Sequence, residues 1–234
     1  MTDFEIIFVE RQREIQKHLE FIKELQWSVI NRSGGKPIDM EHVNILKSAF
    51  LVHLYNVIES VMSKTIEEID GKAKKHPPSE WASEFFQSWL LHRAILVFDN
   101  EPSKRIEKIV KVIGEASGRE LVSSARVAKR SSGNWSNKEI SDLAAKLTCD
   151  LRISPDIDRK ACIVFLIDNK VPMTYVRHMR NQLAHGNLSF VDAAAHLTVD
   201  QLELLCSTVL DYMNEVVSSF VSYIEGKKYL KVTA

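Results

Sequence analysis

The side chains best suited to chemistry lie together near the C-terminal end of one predicted helix. Within nine residues the sequence carries Arg177, His178, Arg180, Asn181 and His185. Residues three or four apart share a face of a helix, so Asn181 and His185 are predicted to lie on one face, with His178 one turn before them. The two arginines are predicted to form a neighbouring stripe.

The same helix needs an apolar edge that holds these polar groups in place. Pro172 suits the first turn of a helix, and Gly186-Asn187 suits its end. Between them, Val176, Met179 and Leu183 follow helical spacing and form the edge predicted to face the core. The helix is therefore expected to pack on this edge and to present arginine, asparagine and histidine on its other sides.

These residue types favour the cleavage of RNA. A 2′-hydroxyl can attack its own adjacent phosphate when a base removes its proton and an acid protonates the leaving 5′-oxygen, and histidine can do either near neutral pH. A guanidinium offers fixed donors to the phosphoryl oxygens as charge builds on them. The nucleophile belongs to the substrate, so this chemistry requires no metal or other cofactor. The helix C-terminus would favour a protonated His185.

A structural interpretation of the same residues stands beside this one. His185, directly before Gly186, is also placed to cap the helix C-terminus. Arg177 and Arg180 would then be solvated surface charges. The spacing of an arginine and a histidine five residues apart does not by itself separate these two hypotheses.

Composition limits the classes of function that remain. The 234 residues carry 31 Lys+Arg and 31 Asp+Glu, so the formal net charge is zero, which excludes coating of nucleic acid by bulk positive charge. Any RNA site must be a local cationic cleft. The familiar phosphate-loop, zinc-protease and hydrolase motifs are absent, and no metal site is predicted. Three scattered cysteines and the lack of a secretory signal or membrane span predict a cytoplasmic protein.

Apolar spacing predicts helices along most of the chain. Gly and Pro together make only 14 residues, and stripes with helical period recur from Ile15 to Val29, from Val43 to Val61 and from Leu202 to Tyr223. Helix-start signals stand at Asp39, at Ser79, at Ser136-Asn137-Lys138-Glu139 and at Thr198-Val199-Asp200-Gln201. The fold class is therefore predicted to be all-α, a helical bundle with inserted shorter elements.

Three stretches give a weaker signal. Residues 117–134 are polar, basic and weakly periodic, and are interpreted as an insertion or a mobile segment packed on the surface. The stretch from Asp158 to Ile167 fits either a short strand or a buried helix. Residues 224–234 are predicted to form a frayed basic tail.

The segment Arg180-Asn181-Gln182-Leu183-Ala184-His185-Gly186 resembles the signature of the HEPN superfamily, in which arginine and a polar residue precede a histidine. Three further stretches resemble a bacterial HEPN-like nuclease branch: Leu54 to Ser60, Gly133 to Ser136, and Leu188 to Phe190. The resemblance covers most of residues 40–225 and is less specific over about 72–130.

The resemblance implies a single HEPN-like domain over residues 1–234, a bundle of four to five core helices with inserted shorter helices. It implies a homodimer in which two motif helices form one composite cleft. It also implies a metal-independent ribonuclease that leaves a 2′,3′-cyclic phosphate and acts as a toxin or in antiphage defence. Such a protein would act on RNA, away from membranes, and an antitoxin or defence protein would be a natural partner.

Roles for individual residues follow from the resemblance. Arg180 would stabilise the scissile phosphate, His185 would be the general acid or base, and Asn181 would orient one of them. Asn56 and Glu59 would add substrate contacts, or would form a buried hydrogen-bonded pair that fixes helix packing. Arg177 and His178 would contact outer phosphates, or would simply be solvated. The competing function is a non-catalytic helical interaction module that binds a protein partner or a nucleotide.

Overall fold

A computed structural model describes residues 1–31, 38–98, 101–118, 122–127, 134–163 and 169–231. Within these residues the chain is all-α, as predicted, with a single isolated bridge between Trp81 and Leu230 and no strand. A short 3₁₀ turn covers Pro78–Glu80. The α-helices of the described residues are α1 (Asp3–Asn31), α2 (Met40–Ala73), α3 (Ser83–Phe98), α4 (Pro102–Ala116), α5 (Asn137–Leu147), α6 (Pro155–Cys162), α7 (Pro172–Ala184) and α8 (Val199–Glu225).

Helix α2 forms the centre of the bundle. It runs antiparallel to α1, and it also packs against α7 and α8. Its buried side chains include Phe50, Leu54, Val57 and Val61, all with no exposed surface. An 18-residue window of α2 is long and apolar enough to cross a bilayer, but 56% of that window is buried inside the protein. The apolar character of α2 is therefore explained by its place in the core.

Two of the predicted helix starts are confirmed in detail. The Asp39 side chain accepts hydrogen bonds from the backbone of Glu41 and His42 at the start of α2. Thr198 and Gln201 form a reciprocal capping box at the start of α8. Each of these caps satisfies N–H groups that the first turn of a helix leaves unpaired.

Two other predicted helix starts differ from the structure. Ser79 lies within the 3₁₀ turn, and α3 begins only at Ser83. Ser136 is the N-cap of α5 by backbone geometry, but its hydroxyl donates to the Glu139 carboxylate instead of accepting a backbone N–H. The predicted capping box at this position is therefore wrong. The Glu139 carboxylate instead accepts hydrogen bonds from the Ser136 hydroxyl and from Arg177.

The interpretation of residues 117–134 as a surface segment holds for Ser117, Gly118 and Ser123, which are exposed, and is wrong for Ala125 and Val127. Ala125 and Val127 are buried in the core. The Asp70 carboxylate accepts hydrogen bonds from the Ser124 hydroxyl at 3.1 Å and from the Ala125 backbone at 2.6 Å. Residues 119–121 and 128–133 lie outside the described residues.

The prediction of a frayed C-terminal tail is also wrong up to residue 231. The Tyr229 carbonyl accepts a hydrogen bond from Ala82, and the Lys231 backbone donates to the Glu80 carbonyl at 2.8 Å. Tyr229 is buried beside Phe85. In the other ambiguous stretch, residues up to Cys162 are helical, and residues 164–168 lie outside the described part of the chain.

A pair of half-buried histidines joins α1 to α2. The Nδ1 atoms of His18 and His53 lie 3.2 Å apart, so one ring donates and the other accepts while both are neutral. Burial lowers the pKa of both rings below 6.5, and the proximity of His53 lowers that of His18 further. Among their charged neighbours, Glu14 favours protonation of His53 and Arg11 opposes it.

This pair predicts a loss of stability in acid. The unfolded chain takes up these protons more readily than the folded one, so the stabilisation is present above pH 6.5 and is lost as the pH falls below it. Urea unfolding measured between about pH 7.5 and 5 should show this slope. The slope should be shallower in His53→Gln than in wild type, because the histidine pair is then absent. Equal slopes in the two proteins would contradict the assignment.

Candidate active site

Helix α7 ends where the sequence predicted. Gly186 has φ of +69°, a left-handed conformation that favours glycine, and follows His185 as the C-cap. The Asn187 N–H donates to the Gln182 carbonyl at 2.9 Å, and the Gly186 N–H donates to the Leu183 carbonyl at 3.1 Å. This pair of bonds is the Schellman arrangement that satisfies the last carbonyls of a helix.

The predicted core edge of α7 is buried. Val176, Met179 and Leu183 are buried, as are Met173 and Tyr175. This edge packs against α2, with further contacts to α8 and α6. The packing places Arg177, Arg180 and Asn181 along the line where α7 meets α2 and the start of α5.

Arg180 is held on three sides. Its Nη2 lies 3.4 Å from the Glu59 carboxylate on α2, and its Nη1 donates to the Asn181 side-chain oxygen at 3.0 Å. The guanidinium carbon lies 5.1 Å from the centre of the Tyr55 ring, within cation–π range. About a quarter of each charged side chain is exposed, so solvent or a ligand can reach the pair.

Arg177 and Asn181 both contact the residue that leads into α5. Arg177 donates to the Asn134 carbonyl at 3.1 Å and to the Glu139 carboxylate at 3.2 Å. The Asn181 amide donates to the Asn134 side-chain oxygen at 3.4 Å. Two segments that are remote in the sequence, α2 and the start of α5, thus converge on adjacent turns of α7.

Tyr55 links two of these segments. Its side chain is fully buried, and its hydroxyl accepts the Trp135 backbone N–H at 2.8 Å. Burial raises the pKa of the Tyr55 hydroxyl, which therefore stays protonated near neutral pH. Because its ring also lies beside Arg180, Tyr55 fixes the position of the guanidinium relative to the start of α5.

Glu139 is the carboxylate that faces Arg177. Burial opposes its ionisation, but hydrogen bonds from Ser136 and Arg177, with the charge of Arg177, hold its pKa below the ordinary value. Glu139 is therefore ionised near neutral pH and balances Arg177. Arg177 and Arg180 consequently each have one carboxylate partner, Glu139 and Glu59. We call Tyr55, Glu59, Asn134, Glu139, Arg177, Arg180 and Asn181 the arginine cluster.

The other predicted site residues lie outside this network. His185 is exposed at the end of α7, Asn56 is exposed on α2, and His178 is half-buried. Between described residues, no side-chain hydrogen bond or ion pair joins any of the three to the arginine cluster. The structure thus brings together Glu59, Arg177, Arg180 and Asn181 of the predicted residues. Glu59 pairs with Arg180, and Asn56 is exposed, so the predicted alternative of a buried pair of Asn56 and Glu59 is wrong.

The basic residues of the stretch 117–134 do not add to the arginine cluster where the structure describes them. Arg126 lies 3.3 Å from Asp70, about three turns along α2 from Glu59. Lys129 and Arg130 lie outside the described residues. Among the described residues, no group of three or more His, Cys, Asp or Glu is placed to hold a metal ion.

Tyr55, Asn134 and Glu139 belong to the site but are not among the residues that the sequence predicts for it. Tyr55 carries a detectable signal, because it lies four residues before Glu59 and so on the same face of α2. The sequence predicts only a helix-capping role for Glu139. Asn134 lies in one of the stretches that resemble the HEPN-like branch, but no site role is predicted for it. Their contacts with α7 join residues 38 and 43 apart in the chain, which local patterns do not reveal.

The all-α bundle, in which an arginine-bearing helix packs against the central helix α2, matches a HEPN-like helical fold. The family model for MAE_28990-like HEPN domains matches residues 6–229, nearly the whole chain. The protein belongs to this family, which confirms the resemblance in its sequence at the level of the superfamily. Neither the curated proteins nor the solved structures include a match to the chain.

Proposed function

We propose that this protein is a metal-independent endoribonuclease that cleaves RNA to a 2′,3′-cyclic phosphate, as a toxin or antiphage effector. The observation that carries the proposal is the arginine cluster on the motif helix of a HEPN family member. Arg177 and Arg180 lie on adjacent turns of one helix, and two neighbouring segments fix their positions. Such preorganised donors suit a phosphodiester on which negative charge develops.

The proposed reaction assigns a step to each group. A base removes the proton of the 2′-hydroxyl, its oxygen bonds to phosphorus, and the bond from phosphorus to the 5′-oxygen breaks. The leaving oxygen takes up a proton, for which exposed His185 is the proposed donor. Among the described residues, the Arg180 contacts use one donor on each terminal nitrogen, so further N–H groups remain for a phosphoryl oxygen.

A second copy of the chain would supply more positive charge. Within one chain, Glu59 and Glu139 balance Arg180 and Arg177. Two copies of α7 facing each other would place four arginines and two copies of His185 around one strand, which is the composite cleft of the proposal. An antitoxin or defence partner is proposed to cover the same cleft, and the proposed location is the cytoplasm.

The test is RNA cleavage by purified protein in excess chelator. We expect wild type to produce 2′,3′-cyclic phosphate ends and His185→Ala to lose about 10²- to 10⁴-fold of the rate, the usual contribution of a general acid. His76→Ala replaces a histidine that pairs with Glu80 and serves as the matched control. Cleavage that stops in chelator, or that persists in His185→Ala, would contradict the proposed mechanism.

Glu59→Gln tests whether RNA binds beside Arg180. The carboxylate lies 3.4 Å from that guanidinium and repels a phosphate, so its neutralisation should tighten RNA binding by roughly threefold to tenfold. Fluorescence anisotropy at low salt, with His185→Ala in the background to prevent cleavage, measures this change. Glu225→Gln makes the same charge change at the exposed end of α8 and should have little effect. Equal or weaker binding by Glu59→Gln would place the RNA elsewhere.

A non-catalytic interaction module is the second candidate. The specific observation in its favour is that His185 has no side-chain bond to the arginine cluster among the described residues, while Arg180 is already paired. Such a module would bind RNA or a protein through the cluster without cutting. Binding that depends on Arg180, with no cleavage by wild type, would support it.

A further inference from the structure

Helix α4 carries its apolar stripe on the side away from the protein. Ile106, Ile109, Val110 and Ile113 follow helical spacing, and they are 73%, 41%, 63% and 60% exposed. The opposite side of the helix carries Glu115, which is fully buried and lies 2.7 Å from Arg93 of α3. A buried ion pair thus fixes the orientation of α4, with its apolar residues outside.

A second exposed stripe lies on the neighbouring helix. Leu91, Ile95 and Phe98 of α3 share one face and are 62%, 46% and 65% exposed. Two contacts set the pairing of the helices: Arg93 meets Glu115, and Arg105 donates to the Phe98 carbonyl at 3.2 Å. The helices therefore run antiparallel. We call the seven residues of these stripes the hairpin face: Leu91, Ile95, Phe98, Ile106, Ile109, Val110 and Ile113.

The hairpin face is large for an uncovered surface. Its seven residues are on average about three-fifths exposed. With about 150–200 Å² for an exposed residue of this size, they present roughly 700 Å² of mainly apolar surface. The largest such patch on a typical monomer is about 300–600 Å². A stable interface buries about 800 Å² per partner, of which a little over half is apolar, so the hairpin face suffices for the core of one.

We propose that the hairpin face binds the hairpin face of a second copy of this chain in a twofold arrangement. The formal net charge of zero means that two copies meet without long-range repulsion. On α4 the lysines Lys104, Lys108 and Lys111 lie closer to the side of Glu115 than to the apolar stripe. Arg105 is the α4 cation nearest the stripe, and its guanidinium donates to the Phe98 carbonyl. The stripe therefore lacks the row of flanking lysines typical of a helix that binds an anionic membrane.

This interface is separate from the arginine cluster. Helix α7 packs against α2, α8 and α6, whereas α4 packs chiefly against α3. Contact through the hairpin face therefore does not use the surface proposed for the composite cleft. If both surfaces pair and their twofold axes intersect at right angles, four chains form a closed tetramer, and the loss of either interface leaves a dimer of half the mass.

The experiment measures mass in solution by light scattering and sedimentation at several concentrations. We expect Val110→Glu to halve the mass of the wild-type particle and Val110→Ala to weaken its association by several-fold. Leu204→Glu introduces the same charge at a 59% exposed leucine of α8 and should leave the mass unchanged. Circular dichroism checks that each variant keeps its helices.

Two results would overturn the proposal: a monomeric wild type, and a mass that Val110→Glu does not change. If the monomer binds anionic phosphatidylserine vesicles through this face, the occupant is a membrane and not a second copy. The result is independent of RNA cleavage. Arg180→Ala lies outside the hairpin face and should keep the interface that Val110→Glu removes, so failure of one proposal does not imply failure of the other.

Discussion

Replacing Arg180 with alanine is expected to lower the rate of RNA cleavage by about 10³-fold or more while leaving the helical fold intact. The guanidinium is the most closely held cation of the cluster, with the Glu59 carboxylate, the Asn181 side chain and the Tyr55 ring around it. Removing it takes away both positive charge and directed donors where charge develops on the phosphate. Single-turnover cleavage at saturating protein separates this effect from weaker binding.

Two variants sharpen the interpretation of this result. Arg180→Lys keeps the charge but not the planar fork of donors, so it should recover only a small part of the rate. Arg152→Ala removes an exposed arginine that pairs with Asp150 and should cleave like wild type. Full activity in Arg180→Ala would exclude the arginine cluster as the catalytic site.

Replacing Trp81 with alanine should destabilise the protein by about 3–5 kcal/mol, the range for loss of a large buried aromatic side chain. The side chain has no exposed surface, and its ring makes edge-on contacts with Phe85 and Trp89. Its indole N–H donates to the Ala73 carbonyl at 3.0 Å, at the end of α2. The substitution leaves a cavity and removes one of the two hydrogen bonds that the Ala73 carbonyl accepts, the other coming from the His76 N–H at 3.1 Å.

Chemical denaturation of wild type and Trp81→Ala measures this loss. Trp27→Ala is the matched control, because that tryptophan is 69% exposed on α1 and should cost less than about 1 kcal/mol. Trp81→Phe keeps most of the apolar volume and should lie between wild type and Trp81→Ala. A loss below about 1 kcal/mol for Trp81→Ala would show that this region does not stabilise the whole fold.

Local chemistry explains the features that the sequence predicts well. The caps at Asp39 and Thr198 depend on residues within one turn of the helix. The end of α7 depends on the left-handed conformation of a single residue, Gly186. The apolar spacing of α7 likewise identifies its buried edge. Each of these signals lies within the segment that it describes.

Features that depend on distant residues were predicted poorly. The Tyr55 hydroxyl meets the backbone of Trp135 80 residues away, and Glu139 turns toward Arg177 across 38 residues. Spacing also identifies an apolar stripe without telling which way it faces. The stripe on α4 has the same period as those of the core helices, but the buried pair of Arg93 and Glu115 turns it outward.

The arginine cluster has a consequence for the synthesis of the protein. Its residues lie within 55–59, 134–139 and 177–181 of the sequence. A translation product that stops before Asn181 therefore lacks at least one residue of the cluster. Under the proposed ribonuclease function, we therefore expect fragments that stop before Asn181 to be inactive. Activity would arise only after the ribosome has passed Asn181.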